Sequence, residues 1–109
     1  MLVDDNASFL GAAATLLERE GVTVVGVAST TAEALRRNEE LRPDVVLVDI
    51  VLGAESGFDV ARELEGGPTV IFISTHAEAD FAELIERTPA AGFVPKSELS
   101  AESIRRLTP

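Results

Sequence analysis

The sequence predicts an α/β fold in which a five-stranded parallel sheet is doubly wound, with helices on both faces. Three observations point there. Short β-branched apolar runs alternate with segments of helical period, strand then helix, five times along the chain. The runs are apolar almost without interruption, which is the pattern of strands covered on both faces. Short strands separated by helices pair in parallel through right-handed crossovers.

Each element has its own signal. The first strand is the brief run Leu2 to Val3, and Leu10, Ala13, Ala14 and Leu17 then recur at helical spacing, with Gly21 placed to end that helix. The second strand is read over Val22 to Val27, "VTVVGV". Thr30 and Glu33 have the form of a capping box before "ALRRNEEL", whose apolar stripe is interrupted by Asn38. Val45 to Val48, "VVLV", is the third strand, followed by a short helix in "FDVARELE". Thr69 to Ile73, "TVIFI", is the fourth, and Phe81, Leu84, Ile85 and Thr88 mark one buried stripe of the helix after it. Phe93 to Val94 is the fifth, and Ala101, Ile104 and Leu107 supply the closing helix. No internal repeat, low-complexity tract or linker divides the chain, so residues 1–109 are read as one domain.

Composition narrows the function classes. A chain of 109 residues with 46% hydrophobic content is long enough for one packed core. Nineteen acids against nine bases give a net charge of −10, which opposes binding to a phosphate backbone, so no direct contact with nucleic acid is expected. There is no cysteine, hence no disulfide framework or thiolate metal site. No apolar run approaches the roughly 20 residues of a membrane span and no signal-peptide pattern opens the chain, so a cytoplasmic protein is expected.

Chemistry should gather where ligands bind in such sheets, beyond the carboxyl ends of the strands. Asp4 and Asp5 end the first strand, Asp49 the third, Ser74 and Thr75 the fourth, and Lys96 the fifth. Adjacent carboxylates at the end of a buried strand repel one another and are poorly solvated. Helix capping would need only one acid, and Asn6 could serve. A hard divalent cation that prefers oxygen ligands would relieve the repulsion, so Asp4, Asp5 and Asp49 are read as a metal cradle.

The residue types and their order resemble the receiver domain of two-component response regulators, the CheY-like superfamily, and in particular receivers of the NarL/FixJ type. The resemblance runs the length of the chain: "LVDD" is similar to the family's acidic pair, "VVLVDI" to its phosphoacceptor strand, "FIST" to its switch hydroxyl, and "GFVPK" to its last strand and lysine. It implies a flavodoxin-like sheet of order 2-1-3-4-5 and a phosphorylation-dependent signalling switch, an enzyme only in catalysing its own phosphorylation and dephosphorylation. Asp49 would be the carboxylate that takes a phosphoryl group from a sensor histidine kinase. Mg2+ would be bound directly by Asp5 and Asp49, by Asp4 through water, and by the backbone carbonyl of Val51. Ser74 would hydrogen-bond the phosphoryl group, Lys96 would pair with its charge, and Phe93 would turn inward on activation. The surface of the fourth helix, fifth strand and fifth helix would then engage a second copy or an output domain, with arginines such as Arg87, Arg105 and Arg106 in reach of a partner.

Several residues depart from the pattern. The loop "DIVLGAESGFD" carries Gly53 and Ala54 where most relatives have a proline, which predicts a more mobile loop. Ser97 follows the lysine where a proline is common, which puts the usual cis peptide there in doubt. Only Met1 to Val3 precede the acids, so the first strand reads as shortened, and no output domain is read in the chain. His76 is either a solvated loop residue or a neighbour of the phosphoryl group, and Phe93 either a switch or simply core. Two further readings remain: an aspartate-nucleophile phosphohydrolase, for which Val51 stands where a second acid is usual, and a degenerate receiver that binds partners without phosphorylation.

Overall fold

The computed structural model describes residues 1–75 and 81–109. His76 lies outside the described residues. Five parallel strands, β1 (Leu2–Val3), β2 (Val27–Ala28), β3 (Val45–Asp49), β6 (Thr69–Ser74) and β7 (Gly92–Pro95), form a sheet of order β2-β1-β3-β6-β7. In order along the chain, this is the 2-1-3-4-5 arrangement expected from the resemblance. Two-residue strands β4 (Val51–Leu52) and β5 (Glu55–Ser56) make a separate antiparallel hairpin in the loop after β3.

The helices are α1 (Ala7–Arg19), α2 (Thr31–Leu41), α3 (Gly57–Glu63), α4 (Ala82–Glu86) and α5 (Ala101–Leu107). Alternation along β3 and β6 divides the core. Val46, Val48, Val70 and Phe72 pack with Ala34, Phe58, Val60 and Ala61 on the face of α2 and α3. Leu47, Ile71 and Ile73 pack with Leu10, Ala13, Leu17 and Ile104 on the face of α1 and α5. Both faces of the central strands are therefore dry, which explains their unbroken apolar sequence.

Local chemistry sets the helix ends. Asn6 caps α1, its side chain accepting from the Phe9 amide at 3.0 Å. The helix closes in a Schellman turn, where Gly21 has φ 90° and its amide reaches Glu18 while the Val22 amide reaches the Leu17 carbonyl. Thr30 caps α2 by accepting from the Glu33 amide at 3.1 Å, while the Glu33 carboxylate accepts from Ser29, one residue before the cap.

Three readings need correction. The second strand is confined to Val27–Ala28 because its partner β1 begins at Leu2, which pairs with Val27, so the run from Val22 to Val25 has no residue of β1 opposite it. Leu84, expected in a buried stripe, is 45% exposed, because α4 is five residues long and inserts no side chain fully into the core. The loop after β3, expected to be mobile, is instead tied back at several points described below. Among the described residues every peptide is trans, including that between Lys96 and Ser97.

Candidate phosphoacceptor site

The sheet brings the predicted residues to one edge. Asp4 follows β1, Asp49 is the last residue of β3, and their strands are neighbours. Asp49 lies opposite Ile73 in register, Ser74 follows at the end of β6, and Ser74 lies opposite Pro95, the residue before Lys96. Asp4, Asp49 and Ser74 are buried, whereas Asp5 is exposed.

Carboxylate oxygens of Asp4, Asp5 and Asp49 all lie within 4.8 Å of one another. Lys96 is the cation among them. Its Nζ donates to Asp49 Oδ2 at 3.0 Å and lies 2.6 Å from Asp4 Oδ2. The Asp4 contact brings the charges together without hydrogen-bond alignment, so Asp4 Oδ2 is buried with no formed hydrogen bond. The other oxygen of Asp4 accepts from the Asn6 amide at 2.9 Å, and Asp49 Oδ1 accepts from the Val51 amide at 3.1 Å.

The electrostatics are short of positive charge. Burial pushes the Asp49 carboxyl above its usual range; the Lys96 and Val51 hydrogen bonds pull against this, and the Asp4 charge adds to it. Burial alone would lower the Lys96 ammonium, yet contact with Asp4 and then with Asp49 outweighs it, so the ammonium is held above its usual value. Three carboxylates against one ammonium leave two negative charges uncompensated at this edge. Such a set of hard oxygen ligands fits a magnesium- or calcium-type ion.

The loop after β3 is held close to this cluster. The Gly57 amide donates to the Ile50 carbonyl at 2.8 Å, and a Cβ on Gly57 would collide with the backbone of Asp49 and Ile50, so only glycine lets α3 start this close behind the acid. Gly53, at φ 58°, forms the tip of the β4–β5 hairpin, and a Cβ there would reach 3.4 Å from Asp5 Oδ2. Glu55 Oε1 accepts from the Thr31 amide at 2.7 Å, fastening the hairpin to the first turn of α2.

The pattern of residues 1–108 matches the family described as the response regulator receiver domain. The chain belongs to that family. As a receiver domain it is a phosphorylation-dependent signalling switch. It is similar to the receiver domain of the response regulator NarL from Mycobacterium tuberculosis, with a TM-score of 0.84 and 29% identity over 97% of this chain and 92% of that one. A response regulator of Burkholderia pseudomallei carrying a phosphorylated aspartic acid and a calcium ion superposes with a TM-score of 0.82 at 26% identity, over 99% of this chain and 64% of that one. Among curated relatives, the response regulator GacA of Pseudomonas viridiflava is 30% identical over 98% of this chain and 52% of its own length. The regulatory protein LiaR of Bacillus subtilis is 31% identical over 94% of this chain and 50% of its own. The chain thus spans about half the length of the curated relatives it matches.

Sequence reading missed several residues that organise this receiver site. Phe9 lies with its ring centroid 4.2 Å from Lys96 Nζ. Glu55 and the β4–β5 hairpin were also missed, although Gly53 in "VLGAES" is a usable turn signal. Two of the three arginines expected to reach a partner are engaged locally: Arg87 pairs with Glu83 at 2.6 Å and Arg106 with Glu102 at 2.7 Å. Such exposed pairs within a helix contribute only about 0.3–0.5 kcal/mol, so they are easily exchanged for a partner's acids.

Proposed function

We propose that this domain accepts a phosphoryl group on Asp49 from the phosphohistidine of a sensor kinase, with Mg2+ as cofactor. The observation that carries the reading is the convergence of three carboxylates and Lys96 at one sheet edge, with the Lys96 ammonium 3.0 Å from Asp49. Asp5 and Asp49 would ligate the ion directly, Asp4 through water, and the Val51 carbonyl would join them. Bound there, magnesium supplies charge neutralisation for the attacking and transferring oxygens.

The protein's own groups do the rest. The Val51 amide and Lys96 orient the Asp49 carboxylate from its two oxygens, leaving further lone pairs for attack on phosphorus in line with the departing group. Lys96, already seated, meets the developing charge on the phosphoryl oxygens. The acyl phosphate then brings about −1.5 to −2 charge units and new acceptor oxygens to the edge. Ser74 would donate to one of these, and Phe93, half-buried beside the α4 side of the core, would turn into the space released. The surface of α4, β7 and α5 would carry that change to a second copy or to an output region of a longer regulator. The domain itself would make no direct contact with DNA, in keeping with its net charge of −10.

Intact mass after incubation with acetyl phosphate and magnesium tests the assignment. Wild type should gain one phosphate and Asp49→Asn none. Full labelling of Asp49→Asn would place the acceptor elsewhere.

A further inference from the structure

Lysine has four rotatable side-chain bonds, so an ammonium that must meet a transferring phosphoryl group is effective only if something limits its freedom. Asp4 and Asp49 hold Lys96 from one side. On another side stands the Phe9 ring, 4.2 Å from Nζ to the centroid, well inside the distance at which a ring face attracts a cation.

One of these acids is also linked to the start of the helix that carries the ring. Asp4 Oδ1 accepts from the Asn6 amide, and Asn6 Oδ1 accepts from the Phe9 amide. Phe9 covers Lys96, and Lys96 returns to Asp4, closing a circuit of four residues around the ammonium. Phe9 stands four residues before Ala13 and packs against the same core cluster as Leu10, Ala13 and Leu17, yet it stays half-buried, which leaves the ring at the lip of the site against Lys96.

The geometry points to Phe9 as a positioning residue that seats the Lys96 ammonium against Asp49 before a phosphoryl group arrives. This rests on the reading of Asp49 as phosphoacceptor. Because Lys96 acts on charge that develops during transfer, loss of the ring should lower the saturating rate and leave the donor's half-saturation concentration nearly unchanged.

The test uses the full chain with acetyl phosphate and magnesium. Phe9→Leu, which keeps apolar volume but removes the π face, should lower the saturating phosphorylation rate about fivefold, with half-saturation within about twofold, and Phe9→Trp should restore the rate. In a Lys96→Met background, Phe9→Leu should have no further effect. Without metal or phosphodonor, NMR should find the Lys96 ε-methylene protons shifted upfield by the ring in wild type and at free-lysine positions in Phe9→Leu. Free-lysine shifts in wild type, or equal slowing by Phe9→Leu with and without Lys96, would overturn the proposal. If wild type takes up no phosphate, the reading of Asp49 fails, and the ring-current shift still decides whether Phe9 seats the lysine.

Discussion

The helices that follow β3 and β6 are held very differently. Behind Asp49, α3 starts on a Ser56 cap and buries Gly57, Phe58, Val60 and Ala61, while the hairpin before it is fastened to α2 through Glu55. Beyond β6, α4 has no side-chain cap and no buried residue, and Leu84 stands 45% exposed. Helices gain most of their stability from tertiary packing, so the second region has much less to lose by moving. On the function proposed above, the phosphoacceptor sits against the anchored helix, and a change in charge at Asp49 would be expressed at the loosely held one.

If the anchoring is real, the largest effect should come from breaking it at Gly57. Gly57→Ala forces a Cβ into the Asp49 and Ile50 backbone and should cost about 3 kcal/mol in urea unfolding, at the upper end of overpacking in a core. A loss below about 0.5 kcal/mol would mean that the loop gives way easily and the contrast is false.

A perturbation acting on the sheet as a whole should leave the contrast intact. The Met1 ammonium is buried against the Val45 carbonyl at 2.9 Å, and burial lowers its pKa to about 6, with Asp44 opposing. A depressed ammonium pKa means that the unfolded chain binds the proton more tightly. Stability should therefore be highest above pH 8 and fall by about 2 kcal/mol as the pH drops toward 6, with no further loss from this group below that. Acetylating the amine should flatten that slope.

Asp5→Asn removes the exposed acid of the cluster while keeping its shape, and should weaken magnesium binding by about tenfold, equivalent to about 1.4 kcal/mol. Unchanged affinity on titration would remove Asp5 from the cradle. The smallest effect belongs to the loosely held side: Leu84→Ala should change stability by no more than about 0.5 kcal/mol, because the side chain is already largely in water.

Much of this was legible in the sequence for physical reasons. Central strands buried on both faces cannot disguise themselves, so "VVLV" and "TVIFI" announced β3 and β6, and residues at the ends of parallel strands must share an edge, which brought Asp4, Asp49, Ser74 and Lys96 together. What stayed hidden depends on distances the linear chain does not encode. Phe9 reads as one more apolar residue of a helical stripe until Lys96 arrives against it from the far end of the chain. Glu55 reads as a loop acid until α2 presents its Thr31 amide. The run from Val22 to Val25 looks like strand because its residues favour one, but a strand also needs a partner opposite.

The central claim is that charge placed on Asp49 is expressed on the α4 side and spares α3. Beryllofluoride with magnesium mimics the acyl phosphate, and amide chemical shifts report the response of each helix. The account predicts large changes over residues 82–86 and 92–95 and small ones over residues 60–63, with the difference abolished by Ser74→Ala. Equal changes in both segments, or an undiminished difference in Ser74→Ala, would contradict it.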